Sequence, residues 1–430
     1  MVATLQVLVV LTVAAVAHCT FAWAMPAIIW PDSIRYADLA AELPSRLTGD
    51  WDSFSAPGYP AFLWVCGRWI ATADGVAWVQ QGLAICACAL TWSVVRHACG
   101  LRAALLGGLI VALSPERHYY AQTMLSECLS EFVFVAGISL MVVAGNLPNG
   151  TQTVVRSIAG VALSAAALIR FNMIPATLAA TVISRRPRVA QSGATRLGAT
   201  GIAAPAAWLG VVLAWLVFLT QQDIHSLPGN AARLFNGFAN EHGIGQTVAV
   251  PTALTPGLAR EQEHALWERI GANRAAYGRA VLRTARALVF SFVWRGDVAP
   301  SIPECSPPPP GNGSPRGFAE RPRPLRGVWR LKVHRALSSL YKLLTPLGWI
   351  GLAVWGVAVA GRGRLDLFLL AAAPLVGIAA LSLMVMINTR YTFPFDALAL
   401  GIGIPGGWSV VERWCRRLRR AALRRREEAE

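Results

Sequence analysis

Charge is what this sequence has little of. Of its 430 residues only 14% are Asp, Glu, Lys or Arg, and 55% are hydrophobic, whereas a soluble domain carries about 25% charged residues. That scarcity excludes an ordinary soluble protein and leaves a membrane composition. Familiar signatures are missing too: no P-loop, no dinucleotide fingerprint, no H-E-x-x-H pair and no internal repeat. The eight cysteines (Cys19, Cys66, Cys86, Cys88, Cys99, Cys128, Cys305 and Cys415) form no C-x-x-C pair and no Cys/His spacing suited to zinc. A disulfide framework or structural metal is therefore not expected. Most of them sit in apolar stretches and read as small buried hydrophobes.

The charge that is present is basic, with a formal net of +16. It is not gathered into the single stripe a nucleic acid would need, so no nucleic-acid partner is expected. Instead it forms clusters: Arg96 with Arg102; Arg185, Arg186, Arg188 and Arg196; Arg362 with Arg364; and a tail of Arg413, Arg416, Arg417, Arg419, Arg420, Arg424, Arg425 and Arg426. Between them lie apolar runs suited to a hydrocarbon core of about 30 Å: 4–29, 75–97, 101–114, 125–145, 153–170, 172–184, 201–220, 336–360, 365–387 and 392–412. Ten alternating helices from a cytoplasmic N-terminus put every cluster on one side, as the positive-inside rule requires. The tail then anchors on anionic lipid.

The expected fold is therefore an all-α polytopic membrane protein with about ten transmembrane helices and external juxtamembrane helices, in the plasma (inner) membrane, with both termini cytoplasmic. Residues 1–220 form an N-terminal transmembrane module with a first external loop at 30–74. Residues 221–335 are an external region, 336–412 the C-terminal spans and 413–430 a basic cytoplasmic tail. Ala22-Trp23-Ala24 resembles a cleavage site, but the first segment has no basic n-region and outruns a usual h-region, so it reads as an uncleaved helix. The stretch 58–72 is too short to span and reads as a juxtamembrane or re-entrant helix. In the external region, 258–293 has a helical pattern. Arg274, Tyr277, Arg279, Arg283 and Arg286 suit it to lipid headgroups. Pro303 to Pro324 reads as extended loop.

Polar groups from distant segments collect on the outer side. Asp32, Arg35 and Tyr36 follow the first helix. Ser114-Pro115-Glu116-Arg117-His118 leads to Leu125-Ser126-Glu127 and on to Glu131. Arg170 with Asn172, and Asn388-Thr389-Arg390-Tyr391, end later spans. Acids at membrane depth are costly and default to functional candidates. Glu127 and Glu131, four apart, share a helix face and suit one cavity. Arginines grip phosphate, and a carboxylate takes a proton from a nucleophile. Asp32 after Pro31 also suits a helix start. Arg117 and His118 read as interfacial, His118 with a secondary claim as ligand or acid. Asp396 is placed to pair with Arg390.

The ordered set Pro31-Asp32-Ser33-x-x-Tyr36, Ala56-Pro57-Gly58-Tyr59-Pro60-x-Phe62-Leu63, Ser114-Pro115 with Leu125-Ser126-Glu127, Ile169-Arg170-Phe171 and Arg390-Tyr391-x-x-Pro394 resembles the glycosyltransferase C superfamily. More narrowly, it looks like the bacterial protein-mannosyltransferase and aminoarabinose-transferase-like branch. The resemblance covers 1–175 and, locally, 380–400. It implies an integral membrane glycosyltransferase that moves a sugar from a polyprenyl-phosphate donor to a protein, lipid or glycan acceptor outside the membrane. Asp32 would be the base of an inverting displacement and Glu127 a second acid. Arg170 and Arg390 would hold the lipid phosphate, and Arg35, Tyr36, Tyr59, His118, Glu131 and Tyr391 would form the substrate side, with Tyr59 lining the sugar pocket. A divalent cation is the one cofactor this reading admits. The sequence departs from the family pattern at Ser33, where many members carry a second acid, and at Ser55-Ala56, where many carry a histidine. Two other readings stand beside it: a polymerase or ligase of lipid-linked polysaccharide, and a non-enzymatic lipid or solute transporter.

Overall fold

A computed structural model describes residues 1–47, 56–182, 199–221, 328–361, 365–383 and 395–427. It also describes parts of 232–282: residues 232, 236, 237, 239, 240, 243–249, 256–280 and 282. Among them the secondary structure is mainly helical, with an isolated parallel β-bridge from Ile28 to Thr123. Helix α1 spans Val2–Ala24 and contains no charged residue. It stops where Pro26 follows, because proline cannot continue the hydrogen-bond ladder. The outer-side helices α2 (Pro31–Ala41), α3 (Leu43–Arg46) and α4 (Gly58–Cys66) are short. Helix α5 spans Ala73–Cys99, opened by Thr72, whose Oγ1 accepts the Gly75 N–H at 3.1 Å. It ends at Gly100, whose φ of 90° lies where a side chain is disfavoured. That turn sends α6 (Leu101–Ala112) straight back.

The chain continues through α7 (Pro115–Gln122), α8 (Ser126–Ala144), α9 (Asn149–Ile169) and a 3₁₀ turn, Phe171–Met173. Then come α10 (Ile174–Val182), α11 (Ala199–Gln221), α12 (Pro256–Ala272), α13 (Val328–Ala360), α14 (Leu365–Leu383) and α15 (Ile404–Glu427). Among the described residues, each of the ten apolar runs in the sequence contains helix. Five described helical stretches are long and apolar enough to cross a membrane: Val2–Ala24, Ala73–Cys99, Ser126–Ala144, Asn149–Ile169 and Ala336–Ala360. Leu101–Ala112, Ile202–Val217 and Leu367–Val376 are apolar but shorter. The protein is an all-α polytopic membrane protein. The predicted helix at 258–293 is seen as Pro256–Ala272 with a further helical stretch at 274–280, while Arg283, Arg286 and Pro303 to Pro324 lie outside the described residues.

Contacts sort the turns into two ends of one bundle. Ile28 pairs with Thr123, Gly58 packs on Ile169, and Arg170 pairs with Glu127, so all these positions share one end. At the other end Arg413 comes within electrostatic reach of Cys99, next to the Gly100 turn. Of the arginine clusters read from the sequence, Arg96 and Arg102 flank the Gly100 turn, while Arg185, Arg186, Arg188, Arg196, Arg362 and Arg364 lie outside the described residues.

The main core draws on α1, α5, α6, α8 to α11, α13, α14 and the 395–402 stretch. In it the Phe134 and Phe395 rings meet edge to face at 5.5 Å. Between 399 and 403 the helix widens to a π-helical turn, Ala399–Gly403, wholly buried. Gly348 and Gly351 of α13 lie against the backbone of this turn, and Gly107 of α6 lies against Gly401. A side chain at these glycines would strike main chain, and such small-residue contacts are how helices approach closely in lipid.

Candidate active site

The site is built around the β-bridge. Ile28 N–H donates to the Gln122 carbonyl at 2.9 Å, and Met124 N–H to the Ile28 carbonyl at 3.1 Å. The pairing is parallel, so both strands run the same way. Asp32 follows Ile28 by four residues and Glu127 follows Thr123 by four. Each acid is the second residue of the helix that starts there, α2 or α8. Two helices thus begin from one bridge, each with a carboxylate in the first turn, where the partial positive charge of a helix start favours it.

Side chains outside the motif hold the bridge. Gln122 Nε2 donates to the Met25 carbonyl at 2.9 Å, and Asp74 Oδ1 accepts the Ala27 N–H at 2.8 Å. Gln81 Nε2 donates to the His118 carbonyl at 3.1 Å and to Gln122 Oε1 at 2.9 Å. Gln80 Nε2 donates to the carbonyls of Ala121 and Thr123, at 3.2 and 2.6 Å. Asp74, Gln80, Gln81 and Gln122 were not among the site residues read from the sequence. Their signal was there, since adjacent glutamines in an otherwise apolar helix have to be satisfied by something.

Asp32 is only partly covered. Its side chain and that of Arg35 are each about a third exposed and pair at 3.1 Å. It is not the helix cap, because that position belongs to Trp30. Ser33, where a second acid was absent, is wholly buried. Its Oγ accepts the Trp30 N–H at 2.9 Å while its own N–H donates to the Trp30 carbonyl at 2.8 Å. This position closes the helix start and points away from solvent, so a carboxylate here would be buried at a cost.

Beside this turn the Arg35 guanidinium lies 5.4 Å from the Tyr36 ring centre, and Tyr36 meets Tyr59 edge to face at 5.1 Å. Tyr59 was expected to line a sugar pocket. It is instead fully buried, and its hydroxyl donates to Gln80 Oε1 at 2.7 Å. Burial, and then Glu127 and Tyr36 nearby, push the Tyr59 phenol well above its usual range, so it stays a donor. Tyr59 is seated by its neighbour: a Cβ on Gly58 would fall 2.7 Å from the Ile169 side chain and 3.0 Å from its backbone. The motif glycine is what lets α4 lie on the end of α9, next to Arg170.

Glu127 has no exposed side-chain surface, and Arg170 only 6%. Arg170 Nη1 stands 2.7 Å from Glu127 Oε1 and 3.3 Å from Ser126 Oγ, with Nε at 3.4 Å from Asn172 Oδ1. Glu131 shares the face of Glu127 but not its surroundings. It lies one turn deeper and pairs with Arg117, both side chains being 1–2% exposed. Arg117 and His118 are both buried within the protein. His118 sets its ring against His18 at 4.4 Å, and its Nε2 is 3.0 Å from the Ala112 carbonyl. Asp396 accepts from Trp349 Nε1 at 2.9 Å. Arg390 and Tyr391 lie outside the described residues.

The structure thus gathers Asp32, Arg35, Tyr36, Tyr59, Glu127 and Arg170 at one end and places Glu131 and His118 below them. The fit to a divalent cation is poor. Asp32, Glu127 and Glu131 each sit on a guanidinium, and among the described residues no three His, Cys, Asp or Glu side chains converge. The described cysteines are free thiols, and Cys305 is not among them.

No protein-family model matches this chain, and no curated protein does. Among solved structures it is similar to the archaeal oligosaccharyltransferase AglB from Archaeoglobus fulgidus, in complex with an inhibitory peptide and a dolichol-phosphate. That match has a TM-score of 0.45 and 13% identity over 97% of this chain and 52% of that one. It is also similar to ArnT from Cupriavidus metallidurans bound to undecaprenyl phosphate, with a TM-score of 0.37 and 15% identity over 94% and 77% of the two chains. The chain spans about half the length of the archaeal protein.

Proposed function

We propose that this protein is a membrane glycosyltransferase that moves a sugar from a polyprenyl-phosphate donor to an acceptor on the outer side of the membrane. The observation that carries the reading is the pair of helix starts at one bridge. They hold one carboxylate at the surface on a nearby arginine and a second, buried, on Arg170.

In this reading Asp32 is the base. The acceptor hydroxyl gives its proton to the Asp32 carboxylate as its oxygen bonds to the anomeric carbon. The bond from that carbon to the phosphate oxygen breaks, and polyprenyl phosphate leaves with the electron pair. Attack opposite the leaving group inverts the centre, and a base positioned this way is worth about 10²–10⁴-fold. Arg170 is committed to Glu127, so the guanidinium we assign to the donor phosphate at this end is that of Arg35, with Arg390 as its counterpart from the C-terminal spans. A phosphate that draws Arg35 away from Asp32 frees the carboxylate for the proton, coupling donor binding to base activation. Glu127 with Arg170 then acts as a positioning pair beneath the base.

Asp32→Asn in the purified, reconstituted protein tests this. Transfer from a polyprenyl-phosphate sugar should fall by about 10²–10⁴-fold while expression and membrane insertion stay normal, and transfer at the wild-type rate would overturn the mechanism. A cysteine-accessibility map checks the sidedness: 30–56 and 300–325 should label from outside, and labelling from the cytoplasm would end the reading.

A further inference from the structure

Helix α15 leaves the bundle carrying two faces that nothing in the described structure covers. Up to Gly407 it is packed, with Gly406 against Trp355 and Gly407 against Gly351. Beyond that point Trp408, Val411, Trp414, Leu418 and Leu423 are 70, 45, 62, 51 and 52% exposed. Trp408, Val411, Cys415, Leu418 and Ala422 recur every three or four residues, with Trp414 alongside, and so form one stripe. Arg413, Arg416, Arg417 and Arg420 fall on the other side of the helix. Arg413 also bonds Ser409 Oγ at 3.1 Å, and Arg416 pairs with Glu412, one of two acids on a helix that bears eight arginines.

We propose that this part of α15 is a binding site for anionic phospholipid. It lies in the interface, with the tryptophan stripe among the upper acyl chains and the arginine face on lipid phosphates. Continuity favours this occupant. The stripe begins within a residue of the point where the same helix is packed in the membrane bundle, so the lipid surface is within reach without any intervening chain. Charge favours it as well, since a leaflet rich in acidic lipid complements a ridge of arginines. Exposed tryptophans with an apolar body and a polar N–H suit the depth where hydrocarbon meets headgroups.

The full-length protein in nanodiscs tests the proposal. Amide hydrogen exchange over 409–423 should slow at least about tenfold when phosphatidylcholine discs are replaced by discs containing phosphatidylglycerol. The protection should be lost at about 1 M salt, where charges are screened within about 3 Å. It should also be lost in a variant carrying R413Q, R416Q, R417Q and R420Q. Because these arginines lie outside the packed bundle, exchange elsewhere should not change. Equal exchange in the two lipids would overturn the proposal. So would protection that appears only when two copies share a disc and crosslink through Cys415, which would assign the stripe to self-association.

Discussion

Two carboxylates sit at matching positions on matching helix starts and live in opposite surroundings. Asp32 is a third exposed and held by an arginine one turn away on its own helix. Glu127 has no exposed surface and is held by an arginine from a different element, after the end of α9. A pair within one helix turn in contact with solvent is worth little and exchanges partners readily. A buried pair joining two elements is expensive to break, because either half alone is an uncompensated charge. In the proposed mechanism position in the fold divides the work: the partly exposed acid takes part in the chemistry, and the buried one fixes where it happens.

Each variant below attacks one side of that contrast. The largest effect falls on Asp32, where Asn should lower transfer by about 10²–10⁴-fold and leave thermal stability unchanged. Next comes Glu127→Ala or Arg170→Ala, each expected to cost about 3–5 kcal/mol of stability. The double variant should be less damaged than the sum of the two, a coupling that thermal unfolding in detergent would measure. Gly58→Ala should cost about 1–3 kcal/mol by crowding Ile169. Because it moves Tyr59 and α4 together, it should lower the transfer rate beyond what its stability loss explains. The smallest effect belongs to Tyr59→Phe, which removes the bond to Gln80 at about 1 kcal/mol. If that change abolished transfer at normal stability, Tyr59 would touch substrate and the assignment of a buried support would be wrong.

Most of the fold was legible because spanning a membrane leaves few choices. Length and apolarity were enough to find the helices. Asp32 and Glu127 were legible as acids in apolar company. Their partners were not, because pairing depends on depth as well as on face. Glu131 has the helix face of Glu127 but meets Arg117 one turn lower. Tyr59 is an aromatic in a motif, and nothing local says whether such a ring faces a cavity or a glutamine. The bridge itself was hidden, since a contact of three residues leaves no periodic trace. Gln80, Gln81 and Gln122 were its nearest sequence signal, through the cost of burying an amide without a partner.

The hydrogen bonds of the bridge run from main chain to main chain, from Ile28 to Gln122 and from Met124 to Ile28. No particular side chain at 28, 123 or 124 is needed to make them. The spacing between the two acids is thus inherited from the backbone, and the residues in between are free to drift as long as none becomes proline at a donor position. Relatives that keep an acid four residues past each strand would keep the same span between them, whatever else has changed in the loops.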